Sequence, residues 1–337
     1  MNTTPLVKYA GALFALGICS ACVSSAGAPS TAALNVRYVG KTLWLNGRPV
    51  TAARVNLNPA PRYATLFPDR RARSKFEYVI NFYGTYASIF DYPKSTKQIG
   101  TINNVGGQGC TNVLYGYGRQ TFWIVAGQNQ ITQYQVPQTP IKTLDAPAGS
   151  MPSSCAMNAA GDLAVGILNG TDEGDVVIYN HASGSGKVYT TPMDEEFFDG
   201  YDNQGNLFAD GFTGFRSGFA LTVLPKGGNK FLLVTTSNAV GFPGSVEWDG
   251  TYLTVFDQNA NAVYQYSVSG TIATLKGTVS LKGSSDCGQT WIVKGLIYCG
   301  DAGNNGGEVF KYPAGGSPIA VFTGNFDTPL GMVAAAK

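Results

Sequence analysis

The chain has 337 residues, with 23 Lys and Arg against 21 Asp and Glu and a formal net charge of +2. A balance this close to neutral, without a long basic run, argues against a nucleic-acid-binding protein. The length allows two average domains or a single large all-β domain.

The first 21 residues have the features of an export signal. A start that carries only Lys8 leads into the apolar run YAGALFALGICSA, which is too short to span a membrane as a helix. The segment CSAC resembles the bacterial lipobox, with Cys19 where leucine is usual. We therefore predict a lipoprotein-type signal peptide over residues 1–21 and lipidation of Cys22. Ordinary secretion with cleavage near Ala26 is the alternative.

Small residues dominate the next segment, VSSAGAPSTAA, and this composition is typical of a flexible tether. We assign residues 22–34 to the tether and residues 35–74 to an N-terminal extension that leads into the main domain. The lipid anchor would hold the protein at the bacterial cell envelope, whereas cleavage near Ala26 would leave it periplasmic or secreted. We predict no membrane contact beyond the anchor.

The rest of the chain, residues 75–337, repeats a unit of 44 residues six times. Each unit contains four β-rich runs, and a hairpin glycine introduces the second run in all units but the first. The positions that repeat at this spacing are Pro93, Pro137, His181, Pro225, Ser269 and Pro313. The hairpin glycines are Gly118, Gly161, Gly205, Gly250 and Gly295.

Four short strands repeated in this way predict an all-β fold, a six-bladed β-propeller with four-stranded antiparallel blades. The first unit lacks its opening strand, while the C-terminal segment DTPLGMVAAAK has Pro, Gly and Val in the same order as GFPGSVEW. We therefore predict that residues 329–333 supply the missing strand. The C-terminal strand would then close the ring.

Three short motifs carry a resemblance to a known group: Tyr-Pro at the end of third strands, GNLF at 205–208 and GFPG at 241–244. Through them the mature chain resembles six-bladed propellers of the NHL-repeat and gluconolactonase-like group, most of all uncharacterised bacterial lipoproteins with such repeats. In gluconolactonases, carboxylate and amide side chains bind a divalent metal on the propeller axis. The resemblance therefore implies Asp, Glu or Asn near the axis, but no motif assigns a catalytic or metal-binding residue.

Four cysteines remain in the exported chain besides Cys22, and an even number in an exported protein indicates disulfides. Four cysteines allow three pairings. The repeat places Cys110 and Cys155 on first strands of adjacent blades, and Cys287 and Cys299 on the two arms of one hairpin. We favour these two pairs, and the second requires a bulge or a wide turn.

Carboxylates concentrate on loops that would share one face of the ring, most densely in MDEEFFDGYDN at 193–203. Acidic and aromatic side chains together suit a cationic ligand, a calcium ion or a basic protein segment, although Asp is also a common turn residue. The candidate ligand- or cation-binding residues are Glu195, Glu196, Asp199, Asp210, Asp257 and Asp301. The only histidine, His181, falls in a peripheral turn, which argues against histidine-dependent catalysis.

We predict a monomeric binding or interaction scaffold that uses this acidic face. It needs no cofactor, although calcium or another divalent cation is compatible with the residues. The partner would be a protein or a cationic small ligand, not nucleic acid. The alternatives are a metal-dependent hydrolase or lactonase resembling gluconolactonases, and a structural propeller whose sides meet a partner.

Lipidation is tested by replacing each cysteine of the lipobox-like segment in a bacterial host grown with radioactive palmitate. Wild-type protein and Cys19→Ala should be labelled, because Cys22 would carry the lipid. Cys22→Ala should lose the label. Label retained in Cys22→Ala would show that this cysteine is not the lipidation site.

Overall fold

The computed structural model describes residues 36–39, 42–45, 48–50, 75–82, 85–111, 120–125, 129–168, 174–214 and 218–336. These ranges are almost entirely β, and their single helical element is a 3-10 turn at Asn180–Ala182. They contain no helix that is long and apolar enough to cross a membrane. The predicted signal peptide, Cys22 and the tether lie outside the described residues, as does most of the predicted extension.

The described ranges contain 27 strands. They are β1 (Val36–Val39), β2 (Thr42–Leu45), β3 (Arg48–Val50), β4 (Lys75–Asn81), β5 (Tyr86–Phe90), β6 (Gly100–Asn103), β7 (Gly109–Cys110), β8 (Thr121–Val125), β9 (Gln130–Gln135), β10 (Thr139–Asp145), β11 (Met151–Met157), β12 (Leu163–Leu168), β13 (Asp175–Tyr179), β14 (Lys187–Thr190), β15 (Glu195–Tyr201), β16 (Leu207–Thr213), β17 (Gly218–Leu224), β18 (Leu232–Thr236), β19 (Pro243–Trp248), β20 (Leu253–Asp257), β21 (Ala262–Ser269), β22 (Ile272–Ser280), β23 (Cys287–Val293), β24 (Leu296–Asp301), β25 (Gly306–Lys311), β26 (Ala320–Phe322) and β27 (Pro329–Ala336).

Strands β1 to β3 form a three-stranded antiparallel sheet. Of the larger sheets, sheet I has the order β27-β4-β5-β6, sheet II contains β7 to β10, sheet III β11 to β14 and sheet V β23 to β26. Sheet IV contains β15 to β22 as two antiparallel groups of four, whose last strands β18 and β22 pair in parallel. The predicted four-stranded antiparallel units are confirmed.

The first strand of each group of four packs against the first strand of the next group. Strand β7 contacts β11, β11 contacts β15, and β15 contacts β19. Strand β19 contacts β23, β23 contacts β27, and β27 contacts β7. These inner strands surround a common axis, and the later strands of each group lie progressively further out. Such a radial arrangement of four-stranded antiparallel sheets is a β-propeller.

Large side chains of the second, third and fourth strands fill the space between neighbouring sheets. Tyr78 of sheet I lies against Phe122 of sheet II, with ring centroids 4.1 Å apart. Phe90 of sheet I stacks on Phe322 of sheet V at 4.5 Å. All four side chains are buried. Each of sheets I to V is covered by a neighbouring sheet on both faces. Side chains on both faces of a strand can therefore be apolar, and the strand sequences agree with this.

Three of the turns from first to second strands are stabilised by the same type of side-chain hydrogen bond. Asn158, Asp202 and Asp249 each use Oδ1 to accept backbone N–H groups from residues further along the turn. In Asp249 the donors are Thr251 at 2.7 Å and Tyr252 at 2.6 Å. This short-range bonding is the reason that Asn and Asp recur at these turns.

The structure contains disulfides at both favoured pairings, each with a Cα separation of 5.7 Å. The Cys110–Cys155 bond joins the inner strands β7 and β11. The Cys287–Cys299 bond joins β23 to β24 within sheet V. A register shift between Cys287 and Thr290 places Thr290, not Cys287, opposite Cys299, which is the bulge that the pairing requires.

The C-terminal strand β27 is the inner strand of sheet I. It pairs antiparallel with β4 over its whole length, from Pro329 opposite Asn81 to Ala336 opposite Lys75. The backbone of β27 also approaches sheet II so closely that a Cβ added at Gly331 would lie 2.1 Å from the carbonyl oxygen of Gly107. The last strand of the chain therefore contacts the sheets formed by the first two repeats.

Deleting residues 328–337 should severely destabilise the protein, because it removes β27 and leaves the ladder edge of β4 and the buried face of sheet I uncovered. Thermal unfolding followed by circular dichroism would measure the effect. A truncated protein that melts like the parent would refute the role assigned to β27.

A matched pair of point variants gives a finer test of the same contact. Gly331→Ala should lower stability by about 1–3 kcal/mol because its Cβ meets backbone. Gly306→Ala, in strand β25, should change stability little, since its Cβ would have no neighbour closer than 3.8 Å.

Candidate functional site

The propeller axis holds a pocket at the end where hairpins join first to second strands. Its walls are the C-terminal halves of four inner strands, at residues 155–157, 198–201 and 245–248 and at 289, 291 and 292. Gln108, Cys110 and Thr111 complete the lining. The empty space, counting solvent at the open end, is about 530 Å³.

Two glutamine side chains in this lining bridge the inner strands. Gln289 accepts at Oε1 from the N–H of Gly109 at 3.1 Å and of Met332 at 2.8 Å, and its Nε2 donates to the Gly109 carbonyl at 2.8 Å. Gln108 donates from Nε2 to the carbonyl of Phe197 at 2.8 Å. Both amides therefore link the inner strands of different sheets by hydrogen bonds.

A buried carboxyl pair lies between sheets III and IV and reaches the pocket through Asp199. Ser154 Oγ lies 3.0 Å from Glu196 Oε1 and 2.8 Å from Asp199 Oδ2. A hydroxyl has one proton to donate, so two hydrogen bonds to carboxyl oxygens require a proton on at least one of the two acids. Gly166 makes room for the pair, because a Cβ there would lie 1.9 Å from Glu196 Oε2.

Burial raises the pKa of both acids in this pair. The pKa of Asp199 is raised to about 7 by removal from water, against the lowering effect of its hydrogen bond with Ser154. The pKa of Glu196 is raised well above its usual value by burial and by the nearby Asp199 charge. The pair therefore holds a proton near neutral pH.

A third buried acid, Asp210 of β16, lies on the opposite face of sheet IV from Asp199. Its cross-strand partner is Phe198, whereas Asp199 is opposite Ala209, so the side chains of Asp199 and Asp210 point to opposite faces. Burial raises the pKa of Asp210 well above the usual range, against the lowering effect of hydrogen bonds from the backbone of Gly244 and Phe198. Asp210 does not line the pocket.

Glu247 is the second carboxylate in the pocket lining. Its Oε1 accepts from Thr290 Oγ1 at 2.7 Å and its Oε2 accepts from the N–H of Ile292 at 2.8 Å. Ser245 Oγ lies 2.5 Å from Thr290 Oγ1, so a short chain of hydroxyls ends on Glu247. Burial raises the pKa of Glu247 to about 7.

Thr111 is buried, and its Oγ1 has no hydrogen-bond partner among the described residues. The carboxyl of Asp199 bonds Ser154 Oγ and also interacts with Glu196 and the backbone of Gly166. An unpaired buried polar group costs about 1–3 kcal/mol. The indole rings of Trp248 and Trp291 also line the pocket, and none of its described lining residues is basic. The pocket is thus an aromatic site whose described charged residues are acids.

The structure corrects the location predicted for most of the candidate carboxylates. The candidates that are at least nine-tenths buried are Glu196, Asp199, Asp210, Asp257 and Asp301. Glu195 is partly exposed. The prediction of exposed loops is wrong because EEFFDGY forms the inner strand β15 and FADGF belongs to β16. The five buried acids do not form an exposed acidic surface.

Asp257 and Asp301 stabilise loops at equivalent ends of the second strands β20 and β24. The carboxylate of Asp257 accepts backbone N–H groups from residues 241, 242, 259 and 260. That of Asp301 accepts them from residues 285, 286 and 304. Neither residue lines the axial pocket.

His181 lies where the sequence predicts it, in an exposed turn between the third and fourth strands of sheet III. Its backbone φ is 47°, in the left-handed region. Its Nδ1 is 3.1 Å from the Ala160 carbonyl and 4.0 Å from Asp162 Oδ1. No nucleophile is among these neighbours.

The described axial residues do not fit the metal site that the gluconolactonase resemblance implies. Within the described ranges, no three carboxylates bring one oxygen each within 4.8 Å of one another. The single cluster at that spacing is Cys287, Cys299 and Asp301, but its sulfurs form a disulfide and its carboxylate supports a turn. The amides of Gln108 and Gln289 are likewise bonded to backbone.

Sequence reasoning missed Glu247 and Thr111 as pocket residues. An acid inside the inner-strand segment PGSVEW is the signal that could have identified Glu247, because a charge is unexpected in a strand covered on both faces. Thr111 gives no comparable signal. Its position in the lining depends on how five inner strands meet.

Comparison with solved structures supports the fold. The chain is similar to a protein of unknown function from Bacteroides caccae, with a TM-score of 0.60 and 10% identity over 78% of this chain and 99% of that one. It is also similar to a chain of a nidogen/laminin complex, with a TM-score of 0.61 and 12% identity over 77% and 98% of the two chains. No family model and no curated protein matches the sequence. The comparisons therefore support a β-propeller, and the NHL-like or gluconolactonase-like group stays a prediction.

Stability should fall as pH rises from about 5 to about 8. An acid whose pKa is raised by folding holds its proton more tightly in the folded chain, so its contribution is lost as pH rises through the folded pKa. Glu196→Gln should flatten this fall and raise stability at the higher pH by more than about 1 kcal/mol, because the amide keeps the bonding of the protonated acid without a buried charge. Thermal melts across the pH range would measure both effects.

The control is Glu195→Gln, which removes a charge from the adjacent, partly exposed position. It should leave the pH profile close to that of the wild type. A Glu196→Gln protein with an unchanged pH profile would show that this carboxyl does not take up a proton on folding.

Proposed function

We propose that this protein is a lipid-anchored, six-bladed propeller of the bacterial cell envelope that binds a small ligand in its axial pocket. In this proposal the protein belongs to the NHL-like and gluconolactonase-like group by architecture and acts as a binding protein. The anchor would be Cys22, and ordinary export without lipid would leave the binding function unchanged.

The blade count in this proposal comes from dividing sheet IV into two blades. Strand pairing between its two groups of four strands is limited to one short parallel ladder. In this ladder Thr235 and Thr236 of β18 pair with Ile272 and Ala273 of β22. Each group has its own inner strand, β15 or β19, in the circuit around the axis. With sheets I, II, III and V this makes six blades, and β27 would close the ring by completing sheet I.

The observation that carries the binding function is the axial pocket itself, which is lined by the aromatic side chains of Phe198, Tyr201, Trp248 and Trp291 and by two acids, Asp199 and Glu247. A concave site with aromatic walls and a few polar groups is typical of small-molecule binding. Binding is favoured over metal-dependent hydrolysis because the described axial acids do not converge on one point. A partly exposed tryptophan, Trp248, supplies a face on which a ligand can stack.

The proposal is tested by thermal shift with a panel of small neutral, anionic and cationic compounds. At least one compound class should raise the melting temperature of the wild type in a saturable way. At a ligand concentration of 100 times Kd, the free energy of unfolding should rise by about 2.7 kcal/mol. Trp248→Ala should lose most of the shift, because the variant removes one wall of the pocket.

The matched control is Ile272→Ala, which truncates a side chain that is 59% exposed on the outer strand β22. It should respond to the same compounds as the wild type. The proposal fails if no compound shifts the wild type, or if Trp248→Ala responds as fully as Ile272→Ala.

A further inference from the structure

We infer that the end of the propeller at which the axial pocket opens is a docking surface for a bilayer of anionic lipids. The surface consists of exposed lysine side chains in and beside the turns that join first to second and third to fourth strands. This inference goes beyond the proposed function, because it needs neither the pocket ligand nor the lipid on Cys22. It adds a second membrane contact to the predicted anchor.

Exposed lysines concentrate at one end of the ring. Successive turns of an antiparallel sheet alternate between its two ends, so the turns from first to second and from third to fourth strands share the end with the pocket. Among residues whose exposure the structure describes, eight Lys or Arg are exposed. Five of them lie in these turns: Lys94, Lys97, Lys226, Lys230 and Lys294. Two more, Lys187 and Lys311, lie at strand ends beside such a turn, and Lys282 lies at the other end.

The acids of the same turns do not cancel these charges. Asp202 and Asp249 are buried and accept backbone N–H groups of their own turns. Asp91 offsets one lysine, because its Oδ2 is 3.8 Å from Lys94 Nζ. Asp162 is partly exposed and accepts hydrogen bonds from an amide side chain and a backbone N–H. The exposed charge at this end is therefore mainly positive.

The other end of the ring has the opposite charge. It holds the turns from second to third strands and the connections from one group of four strands to the next. Exposed or partly exposed acids there are Asp145, Asp175, Asp194, Glu195 and Asp327. The ring is thus polarised along its axis, although the whole chain has a net charge of only +2. An anionic surface would attract one end and repel the other, which orients the protein.

The N-terminal chain joins the propeller at the lysine-rich end. Strand β4 begins at Lys75, which pairs with Ala336 at the last turn of the inner strand β27. Burial and the nearby charge of Lys294, in the hairpin between β23 and β24, lower the pKa of Lys75. Lys75 is therefore close to that hairpin. The chain that would carry the lipid anchor meets the ring at its positive end.

The sequence before Lys75 is basic as well. Residues 35–74 contain eight Lys or Arg and one acid, Asp69. A single acyl chain gives reversible membrane binding, and basic residues near an anionic membrane surface strengthen it. An anchored chain with positive charge at this place in the sequence is thus suited to a membrane that contains anionic lipid.

The distribution of the lysines favours a flat partner. They belong to sheets I, III, IV and V, so they surround the axis and do not line one groove. A small anion could contact only a few of them. A bilayer surface can approach many at once, and each lysine near anionic lipid adds to the attraction.

The test uses co-sedimentation of the full mature chain carrying Cys22→Ala, so that no acyl chain contributes. It should bind phosphatidylcholine vesicles with about 30% phosphatidylglycerol at least about tenfold more tightly than vesicles of phosphatidylcholine alone. Binding should weaken as salt rises from about 0.05 M to about 0.5 M, because the Debye length shortens. Free glycerol phosphate at the same phosphate concentration should not compete, because it presents no surface.

A double variant tests the lysine-rich end itself. Lys226→Glu with Lys230→Glu changes two exposed side chains in one turn and should weaken binding to the phosphatidylglycerol vesicles by at least about tenfold. The matched control is Lys276→Glu with Lys282→Glu, which changes the net charge equally but lies in and after β22. It should weaken binding by less than about threefold. Thermal melts would verify that both variants fold.

Each contrary outcome overturns the inference in a different way. Equal binding of the Cys22→Ala chain to both kinds of vesicle would exclude anionic lipid as the partner. Unchanged binding of the Lys226 and Lys230 variant would assign the attraction to residues 35–74, and equal losses in both double variants would assign it to net charge. Tighter binding to polyglutamate than to vesicles would identify an acidic protein as the partner. None of these results alters the compound panel and Trp248→Ala, which test the pocket.

Discussion

Pairing between the last strand, β27, and the first strand of the repeat region, β4, is the contact on which the rest of the structure depends. It joins residues 329–336 to residues 75–81 and sets β27 between β23 and β7 in the circuit of inner strands. Without it, sheet I would lose its inner strand, and the series of contacts between inner strands would be interrupted between β23 and β7. The pocket exists only because those strands meet.

The same packing explains the unusual chemistry of the axis. Inner strands covered on both faces exclude water, so an acid on such a strand is ionised only with difficulty unless a partner compensates its charge. Glu196 and Asp199 meet this constraint by sharing Ser154, and Glu247 meets it with a hydroxyl and a backbone N–H. Asp199 and Glu247 both line the axial pocket, so the acids that the fold buries at the axis are also the charged groups of the candidate site.

The local sequence pattern predicted the strands correctly but did not predict which carboxylates are buried. The 44-residue spacing, the hairpin glycines and the Asn or Asp turns predicted four-stranded antiparallel units, because each of those signals acts within a few residues. The carboxylates were harder to place. A one-residue bulge in β15, between Glu196 and Phe198, changes which side chains face which sheet, and EEFFDGY gives no sign of it. The sequence therefore suggested a solvated acidic loop where the fold has a buried strand.

The all-β class, the repeat and a cysteine spacing that suits the two disulfides could be read from the chain alone, since they follow from strand propensity, turn chemistry and the distance that a disulfide can span. The three-dimensional packing was needed to show that Asp199, Thr111 and Trp248 line one pocket, while Asp210 faces the other side of its sheet. The three pocket residues come from three different repeats, and their meeting depends on the packing of inner strands, which no local pattern encodes.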